Sequence, residues 1–118
     1  AAWLCTPGHD ERVVAMSKTK ELIENYRIDV QFPDVSGFEI LEMLDLRSKI
    51  AERERDLSAE ERAALEKADR YLIQNAHLFY GQISQVADLT EMRRRVNALP
   101  SHWWWYLDTL VEMAKVAA

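Results

Sequence analysis

Residues 57–89, LSAEERAALEKADRYLIQNAHLFYGQISQVADL, limit most strongly what this chain can fold into. Ser58 followed by Glu61 is a capping box: the serine hydroxyl accepts from the third helical amide while the glutamate reaches back to the amide of the cap. Leu65, Ala68, Leu72, Phe79, Ile83 and Val86 then recur at helical spacing, and Arg62, Glu66 and Arg70 alternate in sign every four residues on the outer face. An uninterrupted helix over 59–88 would be roughly 45 Å long at 1.5 Å per residue. A compact globule of this chain length has a radius of gyration of only about 13 to 14 Å, hence a diameter of roughly 35 Å. Either the helix breaks near Gly81, or its overhang is covered by a second chain. Asn75 falls in the apolar stripe, where an asparagine bonds a nearby carbonyl or sets the register of paired helices.

The remaining segments are read around this helix. Only three glycines and three prolines occur in 118 residues, too little turn chemistry for a fold made of strands. Thr6, Pro7, Asp10 and Glu11 make a helix start, with a weak apolar strip of Val13, Met16, Ile23 and Tyr26. Ile28, Val30 and Phe32 alternate with Asp29 and Gln31, which predicts a short extended segment over 27–32 that ends at Pro33. Ser36 and Glu39 open a second helix over 37–56 that is apolar on two sides, Ile40, Leu41, Leu44 and Ala51 against Met43, Leu46 and Ile50. A helix with two apolar sides needs two neighbours, so Met43, Leu46 and Ile50 are a candidate dimer face. Thr90 and Glu91 start a short helix that Pro100 ends, and Ser101 caps the last one. The expectation is a single all-α domain over 1–118, of about five helices with one long central helix. Met16 reads as a translation start, so residues 1–15 are set aside as a flexible or added extension.

Trp103, Trp104 and Trp105 stand side by side near the C-terminus. On an α-helical wheel at about 100° per residue they cannot face one way. Trp103 and Trp104 fall with Tyr106, Leu107, Leu110, Val111, Met113, Ala114 and Ala117 on a core arc, while Trp105 falls with Asp108, Thr109, Glu112 and Lys115. Trp105 is thus either covered by a loop such as 27–32 or an interface anchor, since aromatic residues concentrate at binding hot spots. Arg93, Arg94, Arg95 and His102 lie just before and beside the indoles, and with Tyr80 they are candidates to hold an anionic or aromatic ligand.

Charge and motif content narrow the function classes. A net charge of −5 weighs against nucleic acid, and no apolar run reaches the roughly 20 residues needed to span a membrane. The single cysteine, Cys5, forms no internal disulfide and fits the reducing cytoplasm. Cys5, His9, His77 and His102 lack the spacing of a zinc signature, and neither a nucleophile motif nor a phosphate loop is present, so no metal, cofactor or catalytic residue is expected. The leading expectation is a small non-enzymatic interaction module that forms a homodimer or binds another protein. A ligand-binding regulator that uses Trp105, Tyr80 and the arginines comes second, and an enzyme of unknown reaction third.

Overall fold

The computed structural model describes residues 7–117, with side chains described over 18–116. Residues 1–6, Cys5 among them, and the side chain of His9 therefore lie outside the described residues. Among the described residues there are six α-helices and no strand: α1 (Pro7–Asp29), α2 (Gly37–Ala51), α3 (Ala59–Gln74), α4 (Ala76–Ser84), α5 (Leu89–Arg95) and α6 (Leu107–Ala117). Single turns of 3₁₀ helix occupy Glu54–Asp56 and Trp103–Tyr106. The all-α expectation holds. The body measures 59 × 28 × 26 Å with a radius of gyration of 16.6 Å, longer than a sphere of this mass.

The starts of the helices follow local chemistry. The capping box before α3 is complete, with Glu61 N donating to Ser58 Oγ at 3.1 Å and Ser58 N to Glu61 Oε1 at 2.9 Å. Ser36 Oγ accepts from Glu39 N at 3.3 Å to open α2. Asp88 rather than Thr90 caps α5, since its Oδ1 accepts from Thr90 N at 2.9 Å. That helix ends before Pro100, because Asn97 takes a left-handed φ of 54°. There Ala98 N donates to Arg93 O and Asn97 N to Arg94 O, both at 3.1 Å, closing a Schellman motif.

Three sequence expectations are corrected. Residues 27–32 are not extended: α1 runs on to Asp29, and turns follow in which Gln31 N donates to Ile28 O and Phe32 N to Asp29 O. A lone strand would leave its backbone unpaired, whereas continued helix satisfies it and buries Val30 four residues after Tyr26. Ile28 and Phe32, the other members of the alternation, are exposed.

The long helix does break, but at Asn75 and not at Gly81, which sits inside α4. Asn75 leaves helical geometry at φ −110°, ψ 20°, and its backbone N and its Nδ2 both donate to Tyr71 O, at 3.1 and 3.0 Å. The side chain thus adds a second donor to a carbonyl that the backbone amide of Asn75 already serves. The bend keeps Leu65, Ala68, Leu72, Ala76, Phe79 and Ile83 on one buried stripe across both halves, and Val86 is left outside.

The third correction concerns the tryptophans. Trp103–Tyr106 is 3₁₀ helix, so the wheel turns by three residues rather than 3.6. Trp104 and Leu107 then share the inward side, and Trp105 is buried as well, at 2% exposure. The expected core arc ends early in α6: Leu107 is buried and Leu110 and Val111 half-buried, but Met113 and Val116 are 61% and 88% exposed.

One hydrophobic cluster takes side chains from all six helices. α2 packs against α1 and α4, α3 against α1, and α6 against α4. The start of α2 meets the end of α4 so closely that a methyl group on Gly37 would overlap the carbonyl of Gln82 and approach Val86 Cγ2 to 2.6 Å. Met43 and Ile50 lie inside this cluster at 3% and 0% exposure, and only Leu46 of the expected dimer face remains half-buried. The second apolar side of α2 is satisfied largely within its own chain.

Candidate functional site

The residues expected to form a tryptophan and arginine cluster separate into an interior and a surface group. Trp105 is covered by α2 and α5 instead of residues 27–32: it lines a groove with Leu41, Leu46, Lys49, Met92 and Val96, and its Nε1 donates to Ser48 Oγ at 2.9 Å. Trp104 Nε1 donates to the same hydroxyl at 2.9 Å, and Ser48 in turn donates to Leu44 O at 3.3 Å. One α2 serine therefore holds both indoles. His102 stacks on Trp104 with ring centroids 4.5 Å apart, and Trp103 meets it edge-on at 5.6 Å.

Arg93 is tied down locally. Its Nη1 donates to Asp108 Oδ1 at 2.8 Å and to Trp105 O at 3.0 Å, and its guanidinium lies 4.4 Å from the Tyr106 ring centroid. Arg94 and Arg95 point outward and pair with Glu91 at 3.3 and 3.6 Å. Tyr80 is half-buried against the core. The groove that Trp105 lines contains neither Tyr80 nor an arginine.

The most connected polar group is one that periodicity passed over. Arg47 on α2 is 3% exposed and grips Asp69 of α3 with two bonds, Nε to Oδ1 at 2.9 Å and Nη2 to Oδ2 at 3.0 Å. Nη2 also reaches Glu54 Oε1 at 3.1 Å, and Tyr26 of α1 donates its hydroxyl to Asp69 Oδ1 at 2.6 Å. The guanidinium lies between two rings, 4.2 Å from the centroid of Trp104 and 6.0 Å from that of Tyr26, within cation–π range. Only Nη1 has no hydrogen-bond partner among the described residues. Burial opposes the charge on Arg47, but the bonds to Asp69 and its negative charge outweigh it and hold the guanidinium above its ordinary value. Burial, with the Asp69 carboxylate beside it, pushes the Tyr26 phenol far above its usual range. Arg47 stays charged and Tyr26 neutral, and the cluster joins α1, α2, α3 and the tryptophan turn.

A signal for Arg47 was present in the sequence. It stands seven residues after Ile40 and three after Leu44, both buried, so it is a charge on an apolar stripe. Asp69, four residues after Leu65, repeats the pattern on α3. A charge in such a position requires a partner of opposite sign.

The opposite side of α2 carries two open grooves. One, of about 410 Å³, is lined by Asp29, Phe32, Val35, Glu39, Ile40, Glu42, Met43 and Leu46. The other, of about 430 Å³, is lined by Leu41, Glu42, Asp45, Leu46, Lys49, Met92, Val96 and Trp105. They share Glu42 and Leu46, which stand on the outer side of α2 between the two grooves. Among the described residues no three His, Cys, Asp or Glu side chains are placed to hold a metal ion. No described helix is long and apolar enough to cross a membrane. No protein-family model, curated protein or solved structure matches this chain.

Proposed function

We propose that this protein is a small non-enzymatic interaction module of the cytoplasm that associates with a second copy of itself. The observation that carries the reading is the end of α6, where Met113 and Val116 stand 61% and 88% exposed on a helix whose first residue, Leu107, is fully buried. Half-buried Leu110 and Val111 lead into this surface, so the apolar strip runs off the body formed by the described residues. Two copies can cover each other's strip across a twofold axis, which gives the same patch on both sides of the contact. Charge does not oppose it, because Glu112 and Lys115 neutralise each other at 3.2 Å within the helix. The lone cysteine fits a reducing compartment. The tethering of Arg93 to Asp108, and of Arg94 and Arg95 to Glu91, favours this reading over a site for a small anion.

Light scattering across protein concentration tests it. The expected result is a mass that rises toward twice that of the chain, with Met113→Glu and Val116→Glu together shifting the midpoint at least about tenfold upward in concentration, equal to 1.4 kcal/mol. A monomer at all concentrations, or an association indifferent to both substitutions, overturns the reading.

A further inference from the structure

We propose that Met113 is a peroxide-sensitive modification site and that its oxidation to the sulfoxide dissolves the α6 contact between two copies. The inference rests on self-association through α6 and adds its regulation. The chain has four methionines, Met16, Met43, Met92 and Met113. The structure sorts the three whose side chains it describes. Met43 is 3% exposed in the core, and Met92 is half-buried in the groove that Trp105 lines. Met113 is 61% exposed, and it stands near the end of the α6 apolar strip with Val116.

Exposure decides which of the three reacts. A thioether has no proton to lose, so its oxidation follows the access of the oxidant to Sδ instead of a protonation state. A lone pair of Sδ attacks one oxygen of hydrogen peroxide, and the S–O bond forms as the O–O bond breaks. The transferred oxygen gives its proton to solvent, and the departing hydroxide takes one up. One sulfide and one peroxide thus yield one sulfoxide and one water, the sulfur losing the two electrons that the peroxide gains.

The product no longer suits the contact. A sulfoxide oxygen is a strong polar acceptor, and covering it with the apolar strip of a second copy takes away its water without supplying a donor. Met113 is not part of the hydrophobic core, so the added oxygen leaves the fold in place. The reaction is also coupled to assembly. A second copy shields Sδ, so the associated chain oxidises more slowly than the single one, and by the same linkage the oxidised chain associates more weakly. Methionine sulfoxide reductases reverse the step, consuming two thiols and releasing a disulfide and water.

The test treats the full chain with dilute hydrogen peroxide, in a Cys5→Ser, Met16→Leu background that removes the two reactive sulfurs outside the described side chains. Mass spectrometry of peptides is expected to find the added oxygen on Met113 first, on Met92 later and on Met43 last, with at least about tenfold between the first and the last. The rate at Met113 should fall as the protein concentration rises through the association midpoint. Light scattering should place that midpoint at least about tenfold higher in concentration after oxidation, and treatment with the reductases and dithiothreitol should restore it. Met113→Leu keeps an apolar side chain of similar volume, so it should associate as before and ignore peroxide. Circular dichroism checks that helix content is unchanged throughout. Oxidation of Met43 or Met92 as fast as Met113 overturns the proposal, as does a midpoint that complete oxidation of Met113 leaves in place. A Met113→Leu chain that peroxide dissociates as readily as its parent also overturns it. A chain that is monomeric before any peroxide is added sinks the self-association reading and this inference with it. A dimer that Met113→Glu with Val116→Glu weakens but oxidation does not sinks this inference alone.

Discussion

The two faces of α2 each depart from the usual sorting of charge and apolar surface at particular residues. Its inner face carries Arg47, buried and paired with Asp69, among Ile40, Leu44 and Ile50. Its outer side leaves Leu41 and Leu46 half open and Phe38 62% exposed. Fifteen residues of one helix thus show that helical position alone does not sort polar from apolar. A charge enters a core when a partner, hydrogen bonds and aromatic faces replace its hydration.

The sharpest way to break this contrast is to remove the inner partner. Asp69→Ala takes from the Arg47 charge its two-bond partner, leaving only Glu54, and from the Tyr26 hydroxyl its acceptor, and unfolding in urea should show a loss of about 3–5 kcal/mol. Arg47→Met combined with Asp69→Leu should lose less than Asp69→Ala alone, because no uncompensated charge is left behind. Additive losses would mean that the pair is not coupled and that the inner face is held by packing only.

A smaller effect is expected one residue along. Ser48→Ala leaves the Nε1 groups of Trp104 and Trp105 without their shared acceptor. A destabilisation of about 2–3 kcal/mol is expected in thermal or urea unfolding, together with a shift in tryptophan emission. A loss below about 0.5 kcal/mol would show that water replaces the hydroxyl and that the tryptophan turn is less tightly sealed than the inner face requires.

The outer face should respond least. Phe38→Ser is expected to change stability by no more than about 0.5 kcal/mol, since the ring already lies mostly in solvent. A larger loss, measured by the same unfolding, would mean that the ring packs in solution and that the outer face is not open.

The candidate site was legible only in fragments. Trp105 stood out correctly as a residue needing cover, but the cover is α2 and α5, and Trp105 is part of the core and not a free anchor. The error came from applying 3.6 residues per turn to a stretch that winds at three. Arg93, Arg94, Arg95 and His102 are close in sequence, yet Asp108, Glu91 and Trp104 take them up separately. Arg47 and Ser48 drew no notice because their partners are far along the chain, 22 residues to Asp69 and 56 and 57 residues to the two indoles.

What the sequence by itself determined is local. The hydroxyl and carboxylate caps at Ser36 and Ser58, the apolar spacing from Leu65 to Ile83, and the scarcity of glycine and proline specify an all-α chain, because caps and helical period act over three or four residues. Tertiary structure decided where the long helix bends, which side of α2 is inside, and how the indoles are held. Each of these depends on groups brought together from distant parts of the chain: the core that keeps both halves of the Asn75 bend inward, the Asp69 carboxylate that makes a buried Arg47 tolerable, and the one serine that two tryptophans share.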